Sequence, residues 1–310
     1  MVRQVTFVVQ EVLLGCDMSM GVEPIWVDVN GIATRYFAKG EGEPMLLITG
    51  GHFGNPTATS VVQTWDRNFE ILSSAFHVVA VEKLGQGYTA NPLQDDFTMQ
   101  AVVDHLIAFL DKLGLKNVHL VGQSAGALPV VAIAKSRPDL VRTCTLINSS
   151  TLSPGVGMTD VNLAGCPHPP YTRESQRWVM ERSAFSAASV TPEYVEAGFD
   201  VLNLPKYKEG VRIMQSGVKD SIFLPRLAQL KREVLQWLTA GGLSRPTQVI
   251  WGANDRTASV SRGLELFRII AANERRTYMS VINEAGHHPF REHPEHFNDL
   301  LMRFAKGIAL

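Results

Sequence analysis

Short apolar runs alternate along this chain with longer segments in which apolar residues recur at helical spacing. The runs that are apolar enough to form buried strands are residues 45–49, 77–82, 118–121, 141–147, 247–251 and 277–282. Among the helical segments, the clearest begins after Thr98, a favourable N-cap residue, and ends before Gly114. Strands that alternate with helices predict an α/β fold, with a mostly parallel central sheet flanked by helices.

The alternation is interrupted once, which predicts four parts of the chain. Residues 1–22 form an N-terminal extension, and residues 23–149 form the first part of the core, which opens with a hairpin around Asn30-Gly31. Residues 150–235 have no clear central strand and several helical patterns, so we expect an inserted helical cap there. Residues 236–310 complete the core.

Composition narrows the classes of function. The 310 residues are 45% hydrophobic and 19% charged, with a formal net charge of -1, so nothing indicates nucleic-acid or membrane binding. Three scattered cysteines predict a reducing, cytoplasmic location, and the apolar stretch near the N-terminus is too interrupted for a signal peptide. No spacing typical of a metal, nucleotide or flavin site is visible, so we expect no cofactor.

The sequence Gly122-Gln123-Ser124-Ala125-Gly126 lies between an apolar strand and an apolar helix. This G-x-S-x-G pattern in that context is a nucleophile elbow, a strained turn that exposes a serine hydroxyl. The two glycines leave room for the strand and the helix to approach each other. The pattern therefore predicts Ser124 as the nucleophile of an acyl-transfer reaction.

Two further strands end next to residues that complete a catalytic set. Asp255 follows the strand 247–251, and His287 follows the strand 277–282. Catalytic groups of parallel sheets gather at the carboxyl ends of strands, and the order Ser, Asp, His is that of an α/β-hydrolase. His287 is favoured over His288 because it directly follows Gly286 at the strand exit. The neighbouring strand end offers Asn148 and no carboxylate, which favours Asp255 as the acid.

Each predicted residue has a chemical role. His287 removes the proton of the Ser124 hydroxyl and later protonates the leaving group, while Asp255 fixes the imidazole tautomer. The backbone amides of Gly51 and Ala125 are the predicted oxyanion-hole donors.

These motifs together resemble the α/β-hydrolase fold superfamily over residues 23 to 308. Within it, the chain is most similar to the meta-cleavage-product hydrolases, through Leu84-Gly85-Gln86-Gly87-Tyr88-Thr89, Asn91-Pro92 and part of the cap. The resemblance implies a small-molecule substrate, carbon–carbon bond hydrolysis of a ring-fission product, and a homodimer. Three positions depart from that family. Ala197-Gly198-Phe199 stands near the usual carboxylate-binding arginine, His288 replaces a tryptophan, and His52-Phe53-Gly54-Asn55-Pro56 stands in place of the usual small-residue oxyanion loop.

Several functions therefore remain open. The leading one is a cofactor-independent serine hydrolase acting on a small, largely apolar carbonyl compound. A carboxylesterase or lactonase is the alternative, followed by a lyase, a cyclase or a small-molecule receptor on the same scaffold. The candidate substrate-binding residues are His52, Phe53, Gln123, Trp178, Phe199 and His288.

Overall fold

An eight-stranded sheet organises the structure, a computed structural model in which residues 20–307 are described. The strands are β1 (Ile25–Val29), β2 (Ile32–Lys39), β3 (Pro44–Ile48), β4 (His77–Val81), β5 (Val118–Gln123), β6 (Val141–Ile147), β7 (Thr247–Gly252) and β8 (Thr277–Ile282). Their order is β1-β2-β4-β3-β5-β6-β7-β8. The pairs β1–β2 and β2–β4 are antiparallel, and the other neighbours are parallel. The predicted α/β fold with a mostly parallel sheet is confirmed.

The α-helices are α1 (Asp66–Ser73), α2 (Met99–Lys112), α3 (Ala127–Ser136), α4 (Thr159–Asn162), α5 (Arg173–Ser183), α6 (Pro192–Leu202), α7 (Pro205–Ile213), α8 (Leu224–Thr239), α9 (Val260–Ala271), α10 (Pro289–Glu292) and α11 (Pro294–Ala305). A π-helical segment, Met214–Phe223, joins α7 to α8. As predicted, Thr98 caps α2, since its side chain accepts from the N–H of Ala101.

The central strands β3 to β7 are buried on both faces of the sheet, and alternate residues along each of them point to opposite faces. Leu46 and Ile48 of β3 face a cluster that includes side chains of α2, α3 and α9, whereas Met45 and Leu47 face a cluster with α1 and α11. This double burial explains why the central strands are continuous apolar runs.

Residues 150–235 contain no strand within the described part of the chain. Part of this region forms a cluster of its own, in which Val195 and Leu202 of α6 and Val211 of α7 are buried together. The predicted boundary at residue 235 falls inside α8. Val234 and Leu238 of this helix belong to the hydrophobic cluster that contains Leu46 and Ile48 of β3, and not to the cluster of α6 and α7. The four-part division stays a prediction, and residues 1–19 of the N-terminal extension lie outside the described residues.

Candidate active site

Ser124 lies at the point where β5 turns into α3. Its φ angle is +52°, a left-handed conformation that is strained for a residue with a side chain. A Cβ placed on Gly122 would lie 2.4 Å from the Gly126 carbonyl oxygen, so the spacing of the two glycines is a steric requirement. Helical structure starts as a 3₁₀ turn, Ser124–Gly126, and α3 begins at Ala127, whereas the apolar pattern of the sequence predicts a helix from Ala125.

The turn exposes Ser124 while its neighbours are buried. Gln123 and Ala125 are buried, whereas Ser124 is partly accessible. Its carbonyl oxygen accepts a hydrogen bond of 2.6 Å from the Ser149 hydroxyl, which fixes the backbone from the far side. The first N–H groups of a helix have no intrahelical acceptor, so the positive end of the helix dipole lies beside this serine.

Asp255 and His287 contact each other directly. Asp255 lies in the loop after β7, and His287 lies in the loop after β8, as predicted from the strand ends. The distance from His287 Nδ1 to Asp255 Oδ2 is 2.7 Å, and both residues are buried. An imidazole that donates from Nδ1 keeps Nε2 free to accept a proton, which is the tautomer that a general base needs.

Four groups besides His287 hold the Asp255 carboxylate. Asn148 Nδ2 donates to Oδ2 at 2.6 Å, while Oδ1 accepts from the Thr257 hydroxyl and from the N–H groups of Thr257 and Ala258. Burial alone would raise the pKa of Asp255, but the charge and hydrogen bond of His287 and the bonds from Asn148 and Ala258 outweigh it and lower the pKa. The carboxylate is therefore ionised.

The loop that carries His287 is fixed at three backbone positions. Its own N–H donates to the Ser183 carbonyl at 2.8 Å, and its carbonyl accepts from Gln123 Nε2 at 3.2 Å. The N–H of Gly286 donates to Glu292 Oε1 at 2.7 Å. Gln123 immediately precedes Ser124, so its amide joins the serine turn to the histidine loop.

The loop after β3 lies against the same turn. A Cβ placed on Gly50 would lie 2.9 Å from the Ser124 Cβ, so the backbone passes very close to this side chain. Gly51 adopts a φ of +78°, and its carbonyl and that of Gly50 both accept from Lys83 Nζ. The structure thus brings Gly50 directly against Ser124, with Gly51 next in the chain, while Ala125 follows the serine.

Three of the predicted substrate-binding side chains lie near these loops. His52 is edge-on to Phe223 at 5.4 Å, and Phe53 packs edge-on against Phe97 at 5.2 Å. The His288 ring lies edge-on to the His287 ring, with centroids 5.2 Å apart. Burial lowers the pKa of His52 to about 3, and burial with the charge of His287 lowers the pKa of His288 well below its usual value. Both histidines are neutral at pH 7.

The two predicted aromatic residues of the insertion each lie beside an exposed arginine. Phe199 packs under the guanidinium of Arg173, 3.9 Å from its carbon to the ring centre, and Arg173 is 55% exposed. Trp178 lies beside the exposed Arg182, at 5.9 Å. Their binding role stays a prediction.

Five residues of the site were not predicted as functional: Asn148, Thr257, Lys83, Gln86 and Glu292. Asn148 and Thr257 donate to the Asp255 carboxylate. Lys83 and Gln86 donate to carbonyl groups of the loop after β3, and Glu292 accepts from the N–H of Gly286 in the histidine loop. Only Thr257 had a local signal, since the side chain of a loop Asp frequently accepts from the backbone N–H two residues later.

Across residues 20–307, no cluster of three or more His, Cys, Asp or Glu side chains is suited to holding a metal ion. No helix in that range is both long and apolar enough to cross a membrane.

Comparisons with known proteins agree with this geometry. The alpha/beta hydrolase fold family model matches residues 43–294. A 2-hydroxymuconate semialdehyde hydrolase of Pseudomonas putida is 27% identical over 289 residues, which cover 90% of this chain and 93% of the relative. A 2-hydroxy-6-oxononadienedioate/2-hydroxy-6-oxononatrienedioate hydrolase of Paraburkholderia xenovorans is 25% identical over 284 residues, covering 88% and 90%.

Among solved structures, a meta-cleavage product hydrolase from Pseudomonas fluorescens superposes with a TM-score of 0.74 at 22% identity, over 94% of this chain and 99% of that one. The predicted resemblance to the meta-cleavage-product hydrolases is therefore confirmed, since relatives and a solved structure of that class match this chain. Because the family model covers most of its length, this chain belongs to the alpha/beta hydrolase fold family.

Proposed function

We propose that this protein is a cofactor-independent serine hydrolase in which Ser124, His287 and Asp255 form the catalytic triad. The observation that carries the proposal is the buried His287–Asp255 pair, 2.7 Å apart, whose loop is bonded through Gln123 to the strained turn of Ser124. A serine hydroxyl is a weak nucleophile, so the neutral imidazole must accept its proton during attack. Asp255 stabilises the imidazolium that results.

The proposed substrate is a ring-fission product with a ketone that is conjugated to a dienol, as the names of the relatives imply. The dienol first ketonises: it loses its hydroxyl proton and gains a proton on the carbon next to the ketone, which gives that carbon a conjugated second carbonyl group. Ser124 Oγ then attacks the ketone carbon, and His287 takes the serine hydroxyl proton. Collapse of the tetrahedral intermediate breaks the adjacent carbon–carbon bond, and the leaving carbanion, stabilised by its own carbonyl group, receives the proton from His287. Water then hydrolyses the acyl-enzyme by the reverse proton transfers, which releases a carboxylic acid.

The amides of Gly51 and Ala125 are the proposed oxyanion donors. Gly51 follows the residue that lies against the Ser124 Cβ, and Ala125 is the second residue of the 3₁₀ turn that starts at the serine. Such donors act on charge that develops only in the transition state, so they lower the barrier without tightening substrate binding.

Ester or lactone hydrolysis is the second candidate, and a specific observation favours it. His52 and His288, the two histidines near the site, are neutral because burial lowers the pKa of each. Phe199, at the position near the family's arginine, packs under an exposed arginine instead. Neither neutral histidine offers a positive charge to a substrate carboxylate, and Arg173 is already paired with Glu196, which favours an uncharged ester or lactone.

The test is a comparison of two substrates. Wild type and Ser124→Ala are mixed with a 2-hydroxy-6-oxo-dienoate, followed by its visible absorbance, and with p-nitrophenyl butyrate. Bleaching that requires Ser124 supports carbon–carbon hydrolysis, while activity on the ester alone supports the second candidate. Bleaching that persists in Ser124→Ala would indicate proton-transfer chemistry by His287, and binding without turnover would indicate a receptor.

A cytoplasmic location, a homodimer and a cap formed by residues 150–235 are further parts of the proposal. They rest on the composition and on the resemblance to the relatives. Light scattering coupled to size-exclusion chromatography measures the oligomeric state, and a monomer at micromolar concentration would contradict the dimer.

A further inference from the structure

Side chains of one loop hold three consecutive carbonyl groups of another. Lys83 Nζ donates to the Gly50 carbonyl at 2.7 Å and to the Gly51 carbonyl at 2.9 Å. Gln86 Nε2 donates to the His52 carbonyl at 3.2 Å. Both donors belong to the loop that follows β4, so this loop sets the orientation of the peptide groups that follow β3.

The geometry of the peptide group links these bonds to the reaction. In a planar trans peptide, the C=O of one residue and the N–H of the next point in opposite directions. A donor on the Gly50 carbonyl therefore fixes the direction of the Gly51 N–H. Within residues 20–307, no protein acceptor pairs with that N–H. The same peptide group begins at Gly50, whose added Cβ would lie 2.9 Å from the Ser124 Cβ.

Lys83 is an unusual residue for this position. Its side chain is 2% exposed, and within the described residues no carboxylate lies within salt-bridge distance of its amine. Burial without a counter-charge lowers the pKa of Lys83 to about 7. A neutral amine retains two N–H groups, which match the two carbonyls it contacts, so the contacts persist whether or not the amine carries a charge.

We propose that Lys83 is a positioning residue that holds the Gly50–Gly51 peptide with its N–H directed at the oxyanion formed on Ser124. The inference rests on the proposed serine hydrolase function. Because the Gly51 N–H acts on the transition state, loss of Lys83 lowers kcat and leaves KM nearly unchanged.

The experiment compares Lys83→Met with Lys206→Met. Lys206 is the matched control, since its side chain is half-buried, its pKa is also lowered to about 7 by burial, and its amine also donates to two carbonyls, those of Gln86 and Thr89. Each variant is assayed for kcat and KM on p-nitrophenyl butyrate, for the rate at which a fluorophosphonate labels Ser124, and for thermal unfolding.

We expect Lys83→Met to reduce kcat and the labelling rate about 10- to 100-fold, somewhat less than removal of a whole oxyanion donor, with KM changed less than about twofold. Lys206→Met keeps kcat within about threefold of wild type despite a similar loss of stability. If Lys83→Met does not fold, Lys83→Gln retains one donor and takes its place, with an expected kcat loss of about tenfold.

Two results overturn the inference alone: a kcat for the Lys83 variant within about threefold of wild type, or an equal loss of kcat in Lys206→Met. Wild-type protein that neither hydrolyses the ester nor reacts with the fluorophosphonate overturns the proposed function, and the role of Lys83 with it.

Discussion

Asn148 donates a hydrogen bond to the same oxygen of Asp255 that His287 contacts. The Asn148 Nδ2 to Asp255 Oδ2 distance is 2.6 Å, and the Asn148 Oδ1 accepts from the Gly252 N–H at 3.1 Å. Because the side-chain oxygen of Asn148 already accepts from a backbone N–H, the orientation of its amide group is fixed. Asn148 therefore holds the carboxylate on the line that joins it to the imidazole.

Asn148→Ala should reduce kcat about tenfold, because the carboxylate loses a buried hydrogen bond and its fixed direction. Asn148→Asp should cost more and move the acid limb of the pH–rate profile to higher pH, since two adjacent carboxylates share a proton and raise the pKa of the pair. Steady-state kinetics from pH 5 to pH 9 give both results. Equal profiles for the alanine and aspartate variants would contradict this account.

Ser124 carries a conformational cost that its substitution reveals. At a φ of +52°, glycine has no steric penalty, whereas alanine keeps the penalty of serine. We expect Ser124→Gly to be more stable to urea than Ser124→Ala by about 1 kcal/mol, although both are inactive. An alanine variant that is the more stable of the two would show that the turn is unstrained.

Glu292 holds three backbone N–H groups at once. Its carboxylate accepts from Gly286 at 2.7 Å, from Phe185 at 2.8 Å and from Ser186 at 3.1 Å. Glu292→Ala should lower the free energy of unfolding by about 2–3 kcal/mol and reduce kcat, because the residue before His287 loses its acceptor. The control is Glu295→Ala, an exposed residue three positions away, which should change both by little.

Lys83 also makes stability depend on pH. Its pKa is lowered to about 7 by burial, against 10.5 for an unperturbed lysine. Between these values the unfolded chain binds more protons than the native state, so the contribution of Lys83 to stability rises with pH from about 7 to 10. The difference in unfolding free energy between wild type and Lys83→Met should become more favourable to wild type over that range. A difference that is constant or decreases with pH would contradict the lowered pKa.

The sequence predicted the central strands and their end residues well, for a physical reason. A strand buried on both faces must be apolar throughout, so β3 and β4 are visible to within one residue of their observed bounds. The helix α7 and the segment Met214–Phe223 were missed. Gly210 and Gly217 interrupt their helical pattern, and Gly217 adopts a φ of +103°, so these segments depend on tertiary packing rather than on propensity.

The residues that support the site, such as Lys83 and Glu292, could not be predicted from the sequence, for a different reason. Lys83 reaches the loop after β3 and Glu292 reaches the end of α5, so each acts on a segment that lies far away in sequence. Nothing in the local pattern of a lysine or a glutamate shows which backbone group it will meet. Ser124, Asp255 and His287 could be predicted because each follows a strand that the sequence pattern identifies.

The end of α5 has a mechanical consequence. The Ser183 carbonyl accepts from the His287 N–H, and the next residues donate to Glu292, so the chain segment that leaves α5 is anchored to the histidine loop. A displacement of α5 must therefore either rotate about these hydrogen bonds or move His287 with it. Ser183 and Glu292 thus couple the position of this end of α5 to that of His287, the proposed proton acceptor.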